Sequence, residues 1–341
     1  MPRSDFVKDV IFAEPPLPAE EFDRAMDAAV RYVVALQEHA GLDVVTDGEW
    51  RRKSYIGVIA ELAHGFQLSR NAADGRPWTV VVDRLAPHQP GFIAREIAFL
   101  RGITKRRIKA TLPAPALLGE RMWDERLSSK AYPRRRDFVR DCVPILRREL
   151  EEIRRAGADI VQIDDPYLCL FVDPQVRALY DDPRGEADFA VEMVNELVEG
   201  FDDMKMAVHL CRRAGARSRG EARHSGSYAP ILDQLNRLQV RHLTMEFTTA
   251  GAGDAAVFRG LRKDFEIGLG CVSVHPGEID PVERIVRRVA MATRYLAPER
   301  ITLNPDCGFA PGSAAAVSLD EAYQKLRNEV AAAAILRERL E

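Results

Sequence analysis

No stretch of this 341-residue chain approaches the roughly 18 apolar residues of a membrane helix, and the N-terminus lacks the apolar core of a signal peptide. These absences exclude a helical membrane protein and predict a cytoplasmic one. An excess of either charge sign is missing too: 49 Lys and Arg against 52 Asp and Glu leave a formal net charge of −3. That balance gives no electrostatic drive toward nucleic acid or an anionic membrane, and the basic run Arg134-Arg135-Arg136 reads as a solvated helix start. Cysteine is scarce, with five residues, odd in number and widely separated, which excludes a disulfide framework and leaves reduced thiols or metal ligands. Internal repeats, low-complexity tracts and flexible linkers are lacking as well, so residues 1–341 read as a single domain.

What is present is the make-up of an ordinary globular chain, 46% hydrophobic and 30% charged, long enough to bury a substantial core. Short β-branched or aliphatic runs recur at 42–47, 107–113, 158–164, 205–210, 241–246, 265–270 and 300–304. Amphipathic segments with apolar residues at three- and four-residue spacing lie between most of them, at 20–40, 137–156, 184–200, 228–238, 281–296 and 319–339. Strand and helix in alternation along a whole chain imply parallel pairing through helical crossovers. Seven strands and one weak or missing one predict an α/β protein of the (β/α)8 TIM-barrel type, with a doubly wound open sheet as the alternative. Residues 48–106 break the alternation. They are too long for a simple crossover, and WTVVVD (78–83) and GFIAREIAFL (91–100) around APHQPG predict an inserted antiparallel ribbon over one mouth of the barrel.

Active sites of such barrels gather at the C-terminal ends of the strands. The polar residues there are Asp47 and Glu49, Asp164 and Asp165, His209 and Cys211, Glu246, His275 and Cys307. His209 and Cys211 stand two residues apart on an extended strand and so point to the same side. One imidazole, two thiolates and one carboxylate make a ligand set suited to tetrahedral zinc. Each residue alone is an ordinary core or surface residue; their joint placement at successive strand ends favours a site. Cys142, Cys169 and Cys271 match no ligand pattern and read as small buried apolar residues. His39, His64, His88, His224 and His242 read as structural or surface residues, and Trp50 and Arg51 fit either a pocket wall or a packing role under the ribbon.

The segments IVQIDDPYL, VHLC, LTME, GLGCVSVHPGEID and LNPDCGF, in that order and with VVTDGEWRR before them, resemble the catalytic half of the cobalamin-independent methionine synthase family. The resemblance covers nearly the whole chain. It implies a zinc-dependent barrel that transfers a methyl group to a thiol, with His209, Cys211, Glu246 and Cys307 as the zinc (Zn2+) ligands. It places Glu49 and Asp164 where the family binds the amino group of homocysteine, and His275 on the family's proposed general acid. Asp165 either supports the site from behind, contacts the substrate, or caps the turn that follows. Coordination to zinc deprotonates a thiol and holds its sulfur for attack, and Glu246 would leave the metal as the substrate thiolate enters. An imidazole such as His275, which titrates near neutral pH, would protonate an amine leaving group. The implied acceptor is homocysteine, converted to methionine, and the implied donor is methyltetrahydrofolate or a methylcorrinoid protein.

Two departures bear on the substrates. The chain opens at MPRSDF, in the middle of the family's Gly-Ser-Phe/Tyr-Pro segment, so the first barrel strand is expected to be truncated, and with it part of the wall that holds the amino acid's carboxylate. The chain is expected to lack the N-terminal barrel that contributes to folate binding in the full-length synthase, and the family's acidic folate contact after the QID motif corresponds here to the apolar YLCLF. A zinc-dependent alkyl or C–S transferase or lyase on another thiol, of the coenzyme M and epoxide type, would use the same ligands, but Glu49 and Asp164 suit a substrate ammonium. A non-catalytic zinc- or corrinoid-binding relative is a further reading. A metal-free decarboxylase on the porphyrinogen-decarboxylase barrel would leave the cysteines without a role.

Overall fold

The structure is a computed structural model that describes residues 1–70, 77–212, 224–309 and 317–339. Its strands run in chain order as β1 (Val44–Val45), β2 (Ala63–Arg70), β3 (Pro77–Pro87), β4 (Arg107–Pro113), β5 (Ile160–Asp164), β6 (Lys205–Leu210), β7 (His242–Met245), β8 (Glu266–Val272) and β9 (Ile301–Pro305). Seven of them form one parallel sheet in the order β1-β4-β5-β6-β7-β8-β9, and each coincides with a run expected from the sequence. Helices cover the expected segments at Ala19–Ala40, Arg135–Ala156, Pro183–Val198, Val282–Ala292 and Leu319–Glu338, and a short turn leads into Leu232–Arg237. The central strands are buried along almost their whole length, which is why they read as aliphatic runs and do not alternate. The result is an α/β fold with a curled, parallel, seven-stranded sheet of the TIM-barrel kind. Among the described residues no strand joins β1 to β9. None of the described helices is long and apolar enough to cross a membrane.

Within the segment 48–106, β2 and β3 pair antiparallel, with Leu68 opposite Thr79. The ribbon strands are therefore 63–70 and 77–87, and residues expected to belong to the ribbon at 91–100 are instead a helix, Phe92–Arg101. Ile93, Ile97 and Leu100 recur at helical spacing on its buried face. The Glu149 carboxylate caps its start, accepting the N–H groups of Gly91, Ile93 and Ala94 at 2.5, 2.6 and 3.0 Å, amides that a helix start leaves without partners. Arg134-Arg135-Arg136 does open a helix, but Arg135 and Arg136 both pair with Glu186 from the helix Pro183–Val198, so that end is tied down and only partly solvated.

On the far side of the barrel mouth, helix Leu319–Glu338 fastens the loop after β8. The fully buried Lys325 ammonium donates to the carbonyl oxygens of Ser273 (2.9 Å) and His275 (2.7 Å) and pairs with Glu321 (3.0 Å). Three donors with three acceptors make such a burial tolerable. Glu321 also accepts the Gly277 N–H at 2.9 Å.

Candidate metal centre and its cavity

β6 carries His209 and leads directly into Cys211, while Cys307 follows β9. The curl of the sheet brings these non-adjacent strand ends together. Cys211 Sγ lies 3.5 Å from Cys307 Sγ, and the donor atoms of His209, Cys211 and Cys307 all lie within 4.8 Å of one another. A disulfide would need about 2.05 Å; two thiolates on one tetrahedral zinc, at about 2.3 Å each, stand about 3.8 Å apart. The spacing therefore fits metal ligands. His209 Nδ1 faces Asp164 Oδ1 at 3.0 Å and Nε2 faces the Asp306 carbonyl at 3.4 Å. A carboxylate on one ring nitrogen fixes the tautomer and turns the other toward a metal. Burial lowers the His209 pKa, but its hydrogen bonds to Asp164 and Cys211 and their charges outweigh burial and raise it to about 10. The contact with Cys211 and burial push the Cys307 thiol well above its ordinary range. A cation is what such a donor set needs to ionise. Glu246, the expected fourth ligand, is fully buried just past β7 but stands outside that 4.8 Å group, its Oε2 accepting the Arg212 N–H at 3.0 Å.

A cavity of about 2530 Å³ opens here, and Glu49, Asp164, His209, Cys211 and Cys307 all line it. Glu49 sits in the left-handed region, at φ 58°, directly after Gly48 at φ 72°. Non-glycine residues are held there only when their surroundings dictate it. Here Asp47 Oδ1 accepts the Glu49 N–H at 3.0 Å, Thr46 Oγ1 accepts that of Gly48 at 3.1 Å, and Gln37 holds both backbone groups of Thr46. The Glu49 carboxylate accepts from Arg52 at 3.2 Å and from the Thr111 hydroxyl, and Arg52 is itself buried against Glu96 at 2.7 Å. Asp164 Oδ1 also accepts from Gln162 at 2.8 Å, so one oxygen orients the imidazole and is itself held.

Asp165 is fully buried and accepts the Leu168 N–H at 2.8 Å, capping the short helix Pro166–Leu170; burial raises its pKa to about 7. Its place is that of a cap. The His275 side chain is 53% exposed, its Nδ1 lies 4.0 Å from Glu278, and it does not line the cavity. The structure thus brings six of the expected strand-end residues, Asp47 among them, to one cavity and leaves His275 on the loop outside its lining. Cys142, Cys169 and Cys271 are buried. Trp50 is buried and packs, whereas Arg51 lines the cavity while pairing with Asp27. Sequence reasoning passed over Arg52, Gln162, Arg212 and Asp306. Arg52 and Asp306 sit inside quoted motifs, DGEWRR and LNPDCGF, beside the residues singled out. Arg212 is fully buried, donates to Tyr228 at 2.9 Å and lies 4.1 Å over its ring, closing the structure behind Glu246.

The family model described as "Cobalamin-independent synthase, Catalytic domain" matches residues 12–335. A methionine synthase from Pyrococcus abyssi (strain GE5 / Orsay) is 30% identical over 336 residues, spanning 95% of this chain and 86% of its own. One from Sulfurisphaera tokodaii is 27% identical over 329 residues, spanning 94% and 85%. A solved B12-independent methionine synthase from Shewanella sp. W3-18-1, in complex with selenomethionine, has the same fold, with a TM-score of 0.77 at 20% identity over 95% of this chain and 91% of that one. With the family match running from residue 12 to 335 and the His–Cys–Cys cluster at its strand ends, the chain belongs to the family of cobalamin-independent synthase catalytic domains.

Proposed function

We propose that this chain is a zinc-dependent methyltransferase that moves a methyl group to the thiol of homocysteine, giving methionine. The observation that carries the reading is the His209–Cys211–Cys307 cluster opening on a cavity that also holds Glu49 and Asp164. His209, Cys211, Cys307 and, as a fourth ligand, Glu246 would hold zinc, which would supply the charge that keeps a substrate sulfur deprotonated at neutral pH. Glu49 and Asp164 receive the substrate ammonium, and Asp164 also fixes the imidazole of His209. A negatively charged pair of this kind favours an amino-acid thiol over a sulfonate such as coenzyme M. His275 delivers a proton to the departing amine of the donor, from the loop that Lys325 holds. Methyltetrahydrofolate is the donor, in keeping with a family described as cobalamin-independent and a solved neighbour described as B12-independent. The β2–β3 pair is an inserted element over the mouth, since Leu68, Trp78 and Thr79 line the cavity. The chain as a whole acts as one domain.

The test is to incubate zinc-loaded protein with methyltetrahydrofolate and homocysteine and to measure methionine by mass spectrometry, before and after chelation and zinc restoration. Methionine that disappears with zinc and returns with it is expected. Methylation of coenzyme M in preference to homocysteine, or no transfer to any thiol, would overturn the reading.

A further inference from the structure

The geometry points to Asp306 as a positioning residue that ties together two ligand-bearing strand ends of the metal centre, an inference that rests on the zinc reading above. Asp306 is buried at the end of β9, immediately before Cys307. Its side chain does not stay with its own strand. Oδ1 accepts the N–H groups of Phe247 (2.9 Å) and Thr248 (3.1 Å), and Oδ2 accepts the Thr248 hydroxyl. Phe247 and Thr248 follow Glu246 at the end of β7, and β8 lies between β7 and β9 in the sheet. The carboxylate therefore reaches past an intervening strand.

That reach requires Gly270 on β8. A Cβ there would stand 2.5 Å from Asp306 Oδ1 and 2.6 Å from the Met245 carbonyl, closer than side-chain carbons come to such atoms. The backbone of Asp306 adds two further contacts: its N–H donates to the Val272 carbonyl at 3.0 Å, and its own carbonyl faces His209 Nε2 at 3.4 Å. One residue thus touches the segments that carry Glu246, Cys307 and His209. It is neither among the clustered donor atoms nor in the cavity lining, so it acts through its neighbours. An amide in its place would keep one acceptor oxygen but lose the charge and the acceptor for the Thr248 hydroxyl, weakening the hydrogen bonds that set the separation of Glu246 from Cys307.

The experiment compares wild type, Asp306→Asn, Gly270→Ala and Thr248→Val as metal-free proteins. Zinc affinity is read by competition with a chromophoric chelator, ligand geometry by the absorption of the cobalt-substituted proteins, and folding by circular dichroism and melting of the metal-free form. Asp306→Asn and Gly270→Ala are expected to weaken zinc by about 10–100-fold, the range for residues that orient metal ligands. Their cobalt spectra should also lose tetrahedral intensity. Thr248→Val, which deletes one of the three side-chain hydrogen bonds, should weaken zinc severalfold, and it carries the test if the other two do not fold. Folded variants whose zinc affinity and cobalt spectrum match wild type, even with a lowered melting temperature, would make Asp306 purely structural and overturn the inference. Wild-type protein that binds no zinc would overturn the zinc reading itself, an outcome visible before any variant is made.

Discussion

Replacing Asp164 by Asn separates the two duties assigned to that side chain. Its Oδ1 accepts from His209 Nδ1 at 3.0 Å and from Gln162 Nε2 at 2.8 Å. The amide keeps an oxygen in the same place and loses the charge. Hydrogen bonds to a charged group contribute about 1.5–3 kcal/mol and neutral ones about 0.5–1.5, so zinc held by His209 should lose roughly 1–1.5 kcal/mol, or about tenfold in affinity. The ammonium of homocysteine meets the same lost charge and should bind roughly tenfold more weakly. The deaminated analogue of homocysteine has no ammonium and should bind almost as before. Chelator competition gives the zinc affinity, and titration calorimetry with each thiol at saturating zinc gives the rest. Unchanged zinc affinity would refute the orienting role of Asp164 toward His209. Equal losses for the two thiols would refute its recognition of the amine.

Cys307→Ser should reduce zinc from about one per chain to a small fraction by elemental analysis while leaving the circular dichroism spectrum intact, because the residue lies at the mouth of the barrel; retained zinc would remove it from the site. His275→Ala should slow transfer from methyltetrahydrofolate by roughly 10²–10⁴-fold and transfer from methylcobalamin much less, with zinc content unchanged; an equal fall with both donors would count against acid catalysis. Glu329, buried on the last helix, has its pKa pushed up to about 8 by burial, against the pull of Lys109. A raised carboxyl contributes stability that is complete below the ordinary carboxylate range and is lost as pH rises through about 8. Glu329→Gln should therefore narrow the drop in melting temperature between pH 6 and pH 9 by a few degrees in calorimetry; an identical drop in both proteins would clear Glu329 as its source.

The central parallel strands were legible in the sequence because strands buried on both faces must be aliphatic; β1 and β9, only partly buried, stood out as short β-branched or aliphatic runs between amphipathic segments of helical period. The helix at 92–101 was not, because GFIAREIAFL lies in a stretch already read as ribbon, although Ile93, Ile97 and Leu100 stand at helical spacing; the Glu149 cap that fixes its start arrives from more than fifty residues away. Ligand types at strand ends could be read from motifs, and His209, Cys211 and Cys307 do converge. Partnerships could not: whether Asp164 faces the imidazole, whether Asp165 turns back to cap Leu168, and whether His275 reaches the cavity depend on side-chain directions that no spacing encodes. The carboxylate of Asp306 reaching past Gly270 is the extreme case, since it needs three strand ends known at once.

Lys325 grips the loop after β8 by the main-chain oxygens of Ser273 and His275. Those oxygens are the same whatever side chains the loop displays. The anchor is therefore indifferent to substitution at positions 275 and 276, whose side chains lie outside the core, and natural variation or laboratory selection can change the chemistry offered from that rim while the loop keeps its place. The burden of invariance falls on position 325, far along the chain, where a shorter or neutral side chain would loosen the rim for every version of the loop at once.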